Sequence, residues 1–356
     1  MKALKLGVFV LLAVACAKEG NNSSTASSTS SSSGSVDLTG AGATFPYPLY
    51  SKWFDEYAKL TGVKINYQSI GSGGGIRQLS EGTVDFGASD SPMSDAELAK
   101  AKFGPILHIP TVLGAVVITY NVPALSAPLN LTAPVIADIF AGKITKWNDA
   151  RIASLNPGVS LPSSDILVVH RSDGSGTTYI FTDYLTAAAP SWKAIGKGKE
   201  VSWPAGLGAK GNEGVAGQVK QTPGAIGYVE LAYARQNKLP IAAVKNKAGK
   251  FVVASVPAVT AAAAGVAKTL PANTDFRISV VDAPGPDAYP ISSFTWILVY
   301  QHQRDSVKGK KLVDFLNWAL TYGEPEAPTL DYAPLPSEMT PKVKAKVATI
   351  DFVGAK

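Results

Sequence analysis

The chain has 356 residues, of which 46% are apolar and 17% charged, so it is long enough for two ordinary domains and too apolar to stay disordered. The formal net charge of +6 is a mild excess spread along the sequence. No basic cluster with interleaved aromatics occurs, which leaves nucleic-acid binding unsupported.

The N-terminus reads as a targeting segment. Lys2 and Lys5 form a positive region ahead of an apolar run from Leu6 to Ala15. That run is shorter than the ~20 residues of a membrane span. It ends in the small residues Ala13-Val14-Ala15, directly before Cys16, the one cysteine of the chain. The arrangement resembles the lipobox of bacterial lipoproteins, with Ala13 where leucine is usual. The resemblance implies that residues 1–15 are removed and that Cys16 is acylated; an ordinary signal peptide cleaved near Cys16 is the alternative. With Cys16 acylated no disulfide can form, and stability must come from the core. Removing Lys2 and Lys5 leaves 31 basic against 27 acidic residues, an excess of +4. From Gly20 to Ser35 the sequence is almost entirely Ser, Thr, Asn and Gly, so residues 16–35 are expected to form a flexible tether. As a Gly/Ser-like coil, such a segment spans on the order of 25 Å.

From Val36 strand and helix patterns alternate. Val36–Thr39 suggests a short strand, followed by Gly40-Ala41-Gly42-Ala43-Thr44-Phe45. Pro46 and Pro48 open a helix with apolar positions 50, 53, 54, 57 and 58, and Gly62 stops it. Val63–Tyr67 alternates as a strand. Gly71-Ser72-Gly73-Gly74-Gly75 leads to a short helix around Ile76–Leu79. Val84–Ala88 is a further strand, and Ser94-x-x-Glu97 forms a capping box. Ile109–Val122 reads as a long strand that crosses into a second region. Near the C-terminus come a strand, Phe294–Tyr300, and a helix from about Ser306 to Tyr322. The alternation predicts an α/β protein with a largely parallel sheet. Two crossings predict two lobes with a ligand cleft between them. Lobe 1 is expected over 36–113 and 290–356, and lobe 2 over 114–289.

The most informative stretch is Arg171-Ser172-Asp173-Gly174-Ser175-Gly176-Thr177-Thr178. It follows the apolar run Ile166–Val169 and precedes a segment with helical spacing at 180, 181, 184 and 185. A cation, hydroxyls and glycines thus sit where a strand turns into a helix. There, unpaired N–H groups and the positive end of the dipole favour an anion. The turns at Gly42–Phe45 and Gly71–Gly75 offer bare N–H groups and a hydroxyl in the same way, at the sheet edge where ligands of open α/β folds bind.

Several chemistries fail on spacing. Ile76 stands where a dinucleotide fingerprint would need glycine, and no G-x-x-x-x-G-K-[ST] occurs. His170, Asp173 and Ser175 are sequence neighbours, and Ser175 lacks the G-x-S-x-G elbow, so no hydrolase triad is indicated. His108 and His302 lie outside polar clusters. No His/Cys/Asp/Glu set has metal-ligand spacing. No catalytic residue, cofactor or metal is therefore expected. Asp85 and Asp90, flanking Phe86-Gly87-Ala88-Ser89, suit either caps or ligand contacts.

Taken together, Gly40–Pro46, Gly71–Gly75, Val84–Asp90, Phe140–Trp147, Arg171–Thr177, Gly206-Leu207-Gly208-Ala209-Lys210-Gly211-Asn212 and Gly224–Val229 resemble the phosphate-binding protein of bacterial phosphate ABC transporters. The likeness runs in family order over about residues 36–335. It implies the two-lobed periplasmic binding protein fold of the second connectivity type. It also implies a monomer that binds inorganic phosphate outside the cytoplasmic membrane, held there by its lipid anchor, and passes it to a membrane permease. By position, Thr44 and Phe45 would give backbone N–H groups, with the Thr44 hydroxyl also donating, and Ser72 would donate through hydroxyl and backbone. Arg171, Ser175, Gly176 and Thr177 would close the opposite side, with Asp173 holding Arg171. Asp90 would accept from the ligand. Phosphate keeps an ionisable proton near neutral pH, because phosphoesters titrate at about 6. Sulfate has none to donate, and a site built around one required donor rejects an analogue lacking it by ~10⁴–10⁵. A phosphate-sensing or adhesive surface protein, or a phosphatase on the same scaffold, are the other function classes.

Overall fold

The computed structural model describes residues 38–125, 127–271 and 273–353. The expected leader, Cys16 and the tether to residue 35 lie outside the described residues.

An eight-stranded sheet organises the chain. Its strands are β1 (Leu38–Gly42), β2 (Ile65–Ser69), β3 (Phe86–Ser89), β4 (Ile106–Tyr120), β5 (Leu167–Arg171), β6 (Leu207–Ala209), β7 (Ala225–Glu230) and β8 (Ser292–Tyr300). Their spatial order is β2-β1-β3-β8-β4-β7-β5-β6. In one half β2, β1 and β3 run parallel and β8 closes them antiparallel. In the other half β6, β5 and β7 run parallel and β4 closes them antiparallel. Strand β4 serves both halves, pairing with β8 over Ile106–Ala115 and with β7 over Val116–Tyr120. All of it except Leu107 is buried, as its long apolar run requires.

Each half carries its own aromatic packing. Tyr50, Trp53, Phe54, Tyr67 and Phe86 cluster in the first, and Phe140, Phe181, Trp203 and Tyr228 in the second. Offset and edge contacts of such rings add to the area that they bury.

Four of the parallel strands, β1, β2, β5 and β6, feed helices at their C-terminal ends. These are α1 (Tyr47–Thr61), α2 (Ser72–Glu81), α3 (Gly176–Ala188) and α4 (Gly211–Gln221). Helix α1 buries Leu49, Tyr50, Trp53, Phe54 and Tyr57, and ends at Gly62, whose φ of 75° is left-handed. Helix α2 begins at Ser72, four residues before the expected Ile76. Glycines are poor helix formers, which argued for a loop there. Packing of Gly75, Ile76 and Leu79 onto β1 and β3 outweighs that cost. Helix α5 spans Ser306–Trp318, and the rest of the expected helix is a turn of π-helix over Ala319–Gly323; a further helix, Thr340–Val347, follows.

Candidate anion-binding site

Three helix starts converge where the two halves of the sheet meet. Between β1 and α1, the Ala43 N–H bonds to the Ala88 carbonyl at 2.9 Å and the Tyr47 N–H to the Thr44 carbonyl at 3.2 Å. Among the described residues, the N–H groups of Thr44 and Phe45 have no protein acceptor. Ser72 opens α2 and is fully buried. The preceding residue, Gly71, has a φ of 88°, a conformation that favours glycine. Ser175 is the N-cap of α3, its hydroxyl accepting the Thr178 N–H at 3.0 Å. The N–H groups of Gly176 and Thr177 open that helix and have no intrahelical acceptor.

Arg171 ends β5 and is 3% exposed. Its Nε donates to Asp173 Oδ1 at 2.7 Å and its Nη2 to Asp173 Oδ2, while Nη1 reaches the Thr177 hydroxyl at 3.3 Å. Asp173 also accepts the Gly211 N–H at 3.0 Å. Burial would push the Asp173 carboxyl up, but the bonds and charge of Arg171 and the Gly211 N–H outweigh it and hold it below the usual range. The guanidinium is thus fixed from behind and keeps its free face toward the helix starts.

Asp90 follows β3 and is 1% exposed. Its Oδ1 accepts the Thr295 hydroxyl at 2.8 Å, and its Oδ2 lies 3.4 Å from the Ser72 hydroxyl. The Asp90 N–H donates to that same hydroxyl at 3.1 Å. Burial pushes the carboxyl up to about 7, against the Thr295 hydroxyl, the charge of Arg171 and the Ser72 hydroxyl. Nearby, burial drives the Glu230 carboxyl well above the usual range.

The two groups of residues touch. The Gly73 N–H donates to the Gly174 carbonyl at 2.9 Å. A Cβ on Gly176 would meet Ser72 Oγ and lie 2.6 Å from Asp90 Oδ2. Thr44, Phe45, Ser72 and Asp90 on one side therefore face Arg171, Ser175, Gly176 and Thr177 on the other. The enclosure holds N–H groups, hydroxyls and one guanidinium as donors, and one carboxylate as acceptor. Such a set of groups can desolvate a small oxyanion and replace its lost water bonds, with neutral donors spreading the charge.

Other polar residues are occupied elsewhere. Asp85 accepts the Thr39 N–H at 2.7 Å and Lys308 Nζ at 3.0 Å, away from the convergence. His170 stacks on Trp203 with centroids 4.8 Å apart, while Asp173 and Ser175 are bound as described. His302, expected outside any polar cluster, lies 2.7 Å from Asp351. Among the described residues, no group of three or more His, Cys, Asp or Glu could hold a metal ion.

A family profile described as the PBP superfamily domain matches residues 23–321. A phosphate-binding protein PstS of Xylella fastidiosa (strain Temecula1 / ATCC 700964) is 46% identical over 317 residues, covering 87% of this chain and 85% of the relative. One of Pasteurella multocida (strain Pm70) is 46% identical over 314 residues, covering 88% and 90%. The chain belongs to the PstS family of phosphate-binding proteins, within the PBP superfamily. A PstS of Methanocaldococcus jannaschii is 39% identical over 363 residues, covering 95% and 92%. Solved structures agree in fold. A periplasmic phosphate-binding protein, PfluDING, bound with phosphate at pH 8.5, superposes with a TM-score of 0.72 at 23% identity, covering 87% of this chain and 93% of that one. A phosphate-binding protein from Stenotrophomonas maltophilia gives 0.67 at 23% identity, again covering 87% and 93%.

Two polar residues of this PstS-family site escaped the sequence reading. Thr295 reaches Asp90 where β8 and β4 lose register, between Thr295 and Trp296. Such a bulge re-aims a side chain. Its signal was a hydroxyl inside an apolar strand. Asn212 lies in the first turn of α4, and its amide contacts both Thr44 and Thr177. It lay inside a family-like motif but carried no charge to draw notice.

Proposed function

We propose that this protein binds inorganic phosphate outside the cytoplasmic membrane and delivers it to an ABC-type permease. The observation that carries the reading is a buried cluster of donors with one acceptor, Asp90 Oδ2, beside the Ser72 hydroxyl. A protonated phosphate satisfies both kinds of group, whereas sulfate would set an acceptor against an acceptor. Thr44, Phe45, Ser72, Arg171, Ser175, Gly176 and Thr177 are the donors in this reading, and Asp173 holds Arg171. The names of the relatives support it, as do the phosphate-bound structures of the same fold.

The lobes in this reading are 36–113 with 290–356, and 114–289, closing on the ligand as a monomer. The change of partner along β4 supports a boundary near its middle. Residues 1–15 are a lipoprotein leader, and Cys16 carries the lipid that holds the protein in the periplasm or at the outer face of the cell membrane. The small residues before Cys16 and the tether after it support this. Among the described residues no helix is long and apolar enough to cross a membrane. The protein acts by binding, without turning its ligand over.

Titration calorimetry with phosphate, arsenate and sulfate tests the reading. Phosphate and the similarly protonatable arsenate are expected to bind, and sulfate to bind at least a thousandfold more weakly, on the scale of ~10⁴–10⁵ for a missing donor. Equal affinity for sulfate and phosphate would overturn it.

A further inference from the structure

Asn212 has a place in the second half of the sheet that Ser72 has in the first. Each follows an outer parallel strand and a glycine of positive φ, 72° at Gly211 and 88° at Gly71, and each lies at the start of a helix. The Ser72 hydroxyl lies beside Asp90, whereas Asn212 turns its donors onto two other hydroxyls. Its backbone N–H and its Nδ2 both donate to Thr44 Oγ1, at 3.2 and 2.7 Å. The same Nδ2 donates to Thr177 Oγ1 at 3.0 Å, and that oxygen also takes Arg171 Nη1 at 3.3 Å. Asn212 Oδ1 accepts the Glu230 N–H at 2.9 Å, which fixes the amide orientation, since a flipped amide would set donor against donor. Asn212 is fully buried, so water does not compete for these bonds.

A hydroxyl has one proton and two acceptor lone pairs. On Thr44 and on Thr177 both lone pairs face N–H donors, so each proton must be given elsewhere. The open direction for both is the enclosure between the helix starts. We propose that Asn212 is a positioning residue that turns the Thr44 and Thr177 hydroxyls into obligate donors toward the anion. Because Thr44 comes from one half of the sheet and Asn212 from the other, the lock on Thr44 is complete only when the halves meet. Closure and polarisation of the site are then one event. This inference rests on the reading of these converging groups as a phosphate site.

A double-mutant cycle on the full chain tests it, with inorganic phosphate as the calorimetric probe. Asn212→Ala takes one of the two N–H donors from each hydroxyl, leaving the backbone N–H of residue 212 on Thr44 and Arg171 on Thr177, so each proton can turn away from the anion. Phosphate affinity is expected to fall about thirtyfold, the scale of one charge-assisted bond shared between two weakened donors. Thr44→Val with Thr177→Val removes the hydroxyls themselves. In that background Asn212→Ala is expected to cost less than about threefold, because nothing remains to orient. A residue that only supports the fold would cost the same factor in both backgrounds, and that result overturns the inference. Thermal melts without phosphate report folding. Should the alanine variant not fold, Asn212→Leu fills the space without donors and enters the same cycle. Wild-type protein that takes up no phosphate overturns the reading of the site and this inference with it. Wild-type binding with an additive cycle overturns the inference alone.

Discussion

The Thr295 hydroxyl donates to Asp90 Oδ1 at 2.8 Å and so commits that oxygen to the protein, while Asp90 Oδ2 faces the Ser72 hydroxyl at 3.4 Å. An asparagine at position 90 would keep its oxygen toward Thr295 and turn its NH₂ toward the ligand. The one acceptor of the site would become a donor. Asp90→Asn is therefore expected to bring sulfate affinity up and to narrow the phosphate-to-sulfate ratio by at least about a hundredfold, part of the ~10⁴–10⁵ that a required donor can give. Calorimetry with both anions measures this ratio. A ratio that stays put would show that selection is made elsewhere.

Gly176 tests whether binding needs the halves closed. Its backbone lies outside the left-handed region, so alanine is not strained there by φ. An added Cβ would instead lie 2.7 Å from the Asp90 Cβ and would meet Ser72 Oγ across the site. Only the closed arrangement objects. Gly176→Ala is expected to melt like the parent without phosphate and to bind phosphate about 10–100-fold more weakly, the cost of overpacking by roughly 1–3 kcal/mol. A full phosphate-induced rise in melting temperature in this variant would contradict the contact.

The pH dependence of the empty protein follows from Asp90. Burial raises its carboxyl to about 7, and the native state then favours the protonated form. The associated stability is fully present below the ordinary value of 3.8 and is lost as pH rises through 7. The loss is at most about 4 kcal/mol, because opening of the site rehydrates the group. Melting wild type and Asp90→Asn side by side in phosphate-free buffer isolates it. The wild-type protein is expected to lose ground to the variant as pH rises from 4 to 8. A constant difference would mean that Asp90 ionises freely. Saturating phosphate should reduce the slope, since the ligand brings a hydrogen bond for the charged carboxylate.

What was legible in the sequence was whatever depends on local chemistry. The Pro46–Gly62 helix could be read because proline, apolar spacing and the terminal glycine all point the same way. The glycine-hydroxyl turns could be read because helix starts bind anions wherever they occur. Thr295 could not be reached in this way. It meets Asp90 through a bulge between two strands far apart in sequence, and pairing register is a property of the folded sheet. The start of α2 was misplaced for a related reason. Glycine propensity argued for a loop at Gly73–Gly75, and only packing against β1 and β3 makes it helical.

Arg171 and Asp173 separate charge from orientation. Asp173 holds the guanidinium through Nε and Nη2, and the side chains of the pair are 1% and 12% exposed, so salt screens them little. Arg171→Lys keeps the charge but loses the planar fork, and phosphate affinity is expected to fall about 10²–10³-fold, chiefly through faster dissociation. Asp173→Asn is the sharper case. It removes a negative charge beside the anion, which by Coulomb attraction alone should tighten binding. It also frees the guanidinium to leave its place beside Thr177 Oγ1, now 3.3 Å away. If orientation governs, affinity falls about tenfold while association stays as fast or becomes faster. Stopped-flow binding resolves the two rates. A tighter complex in Asp173→Asn would mean that the site works by net charge, and that Asp173 is a cost to binding rather than the support on which Arg171 depends.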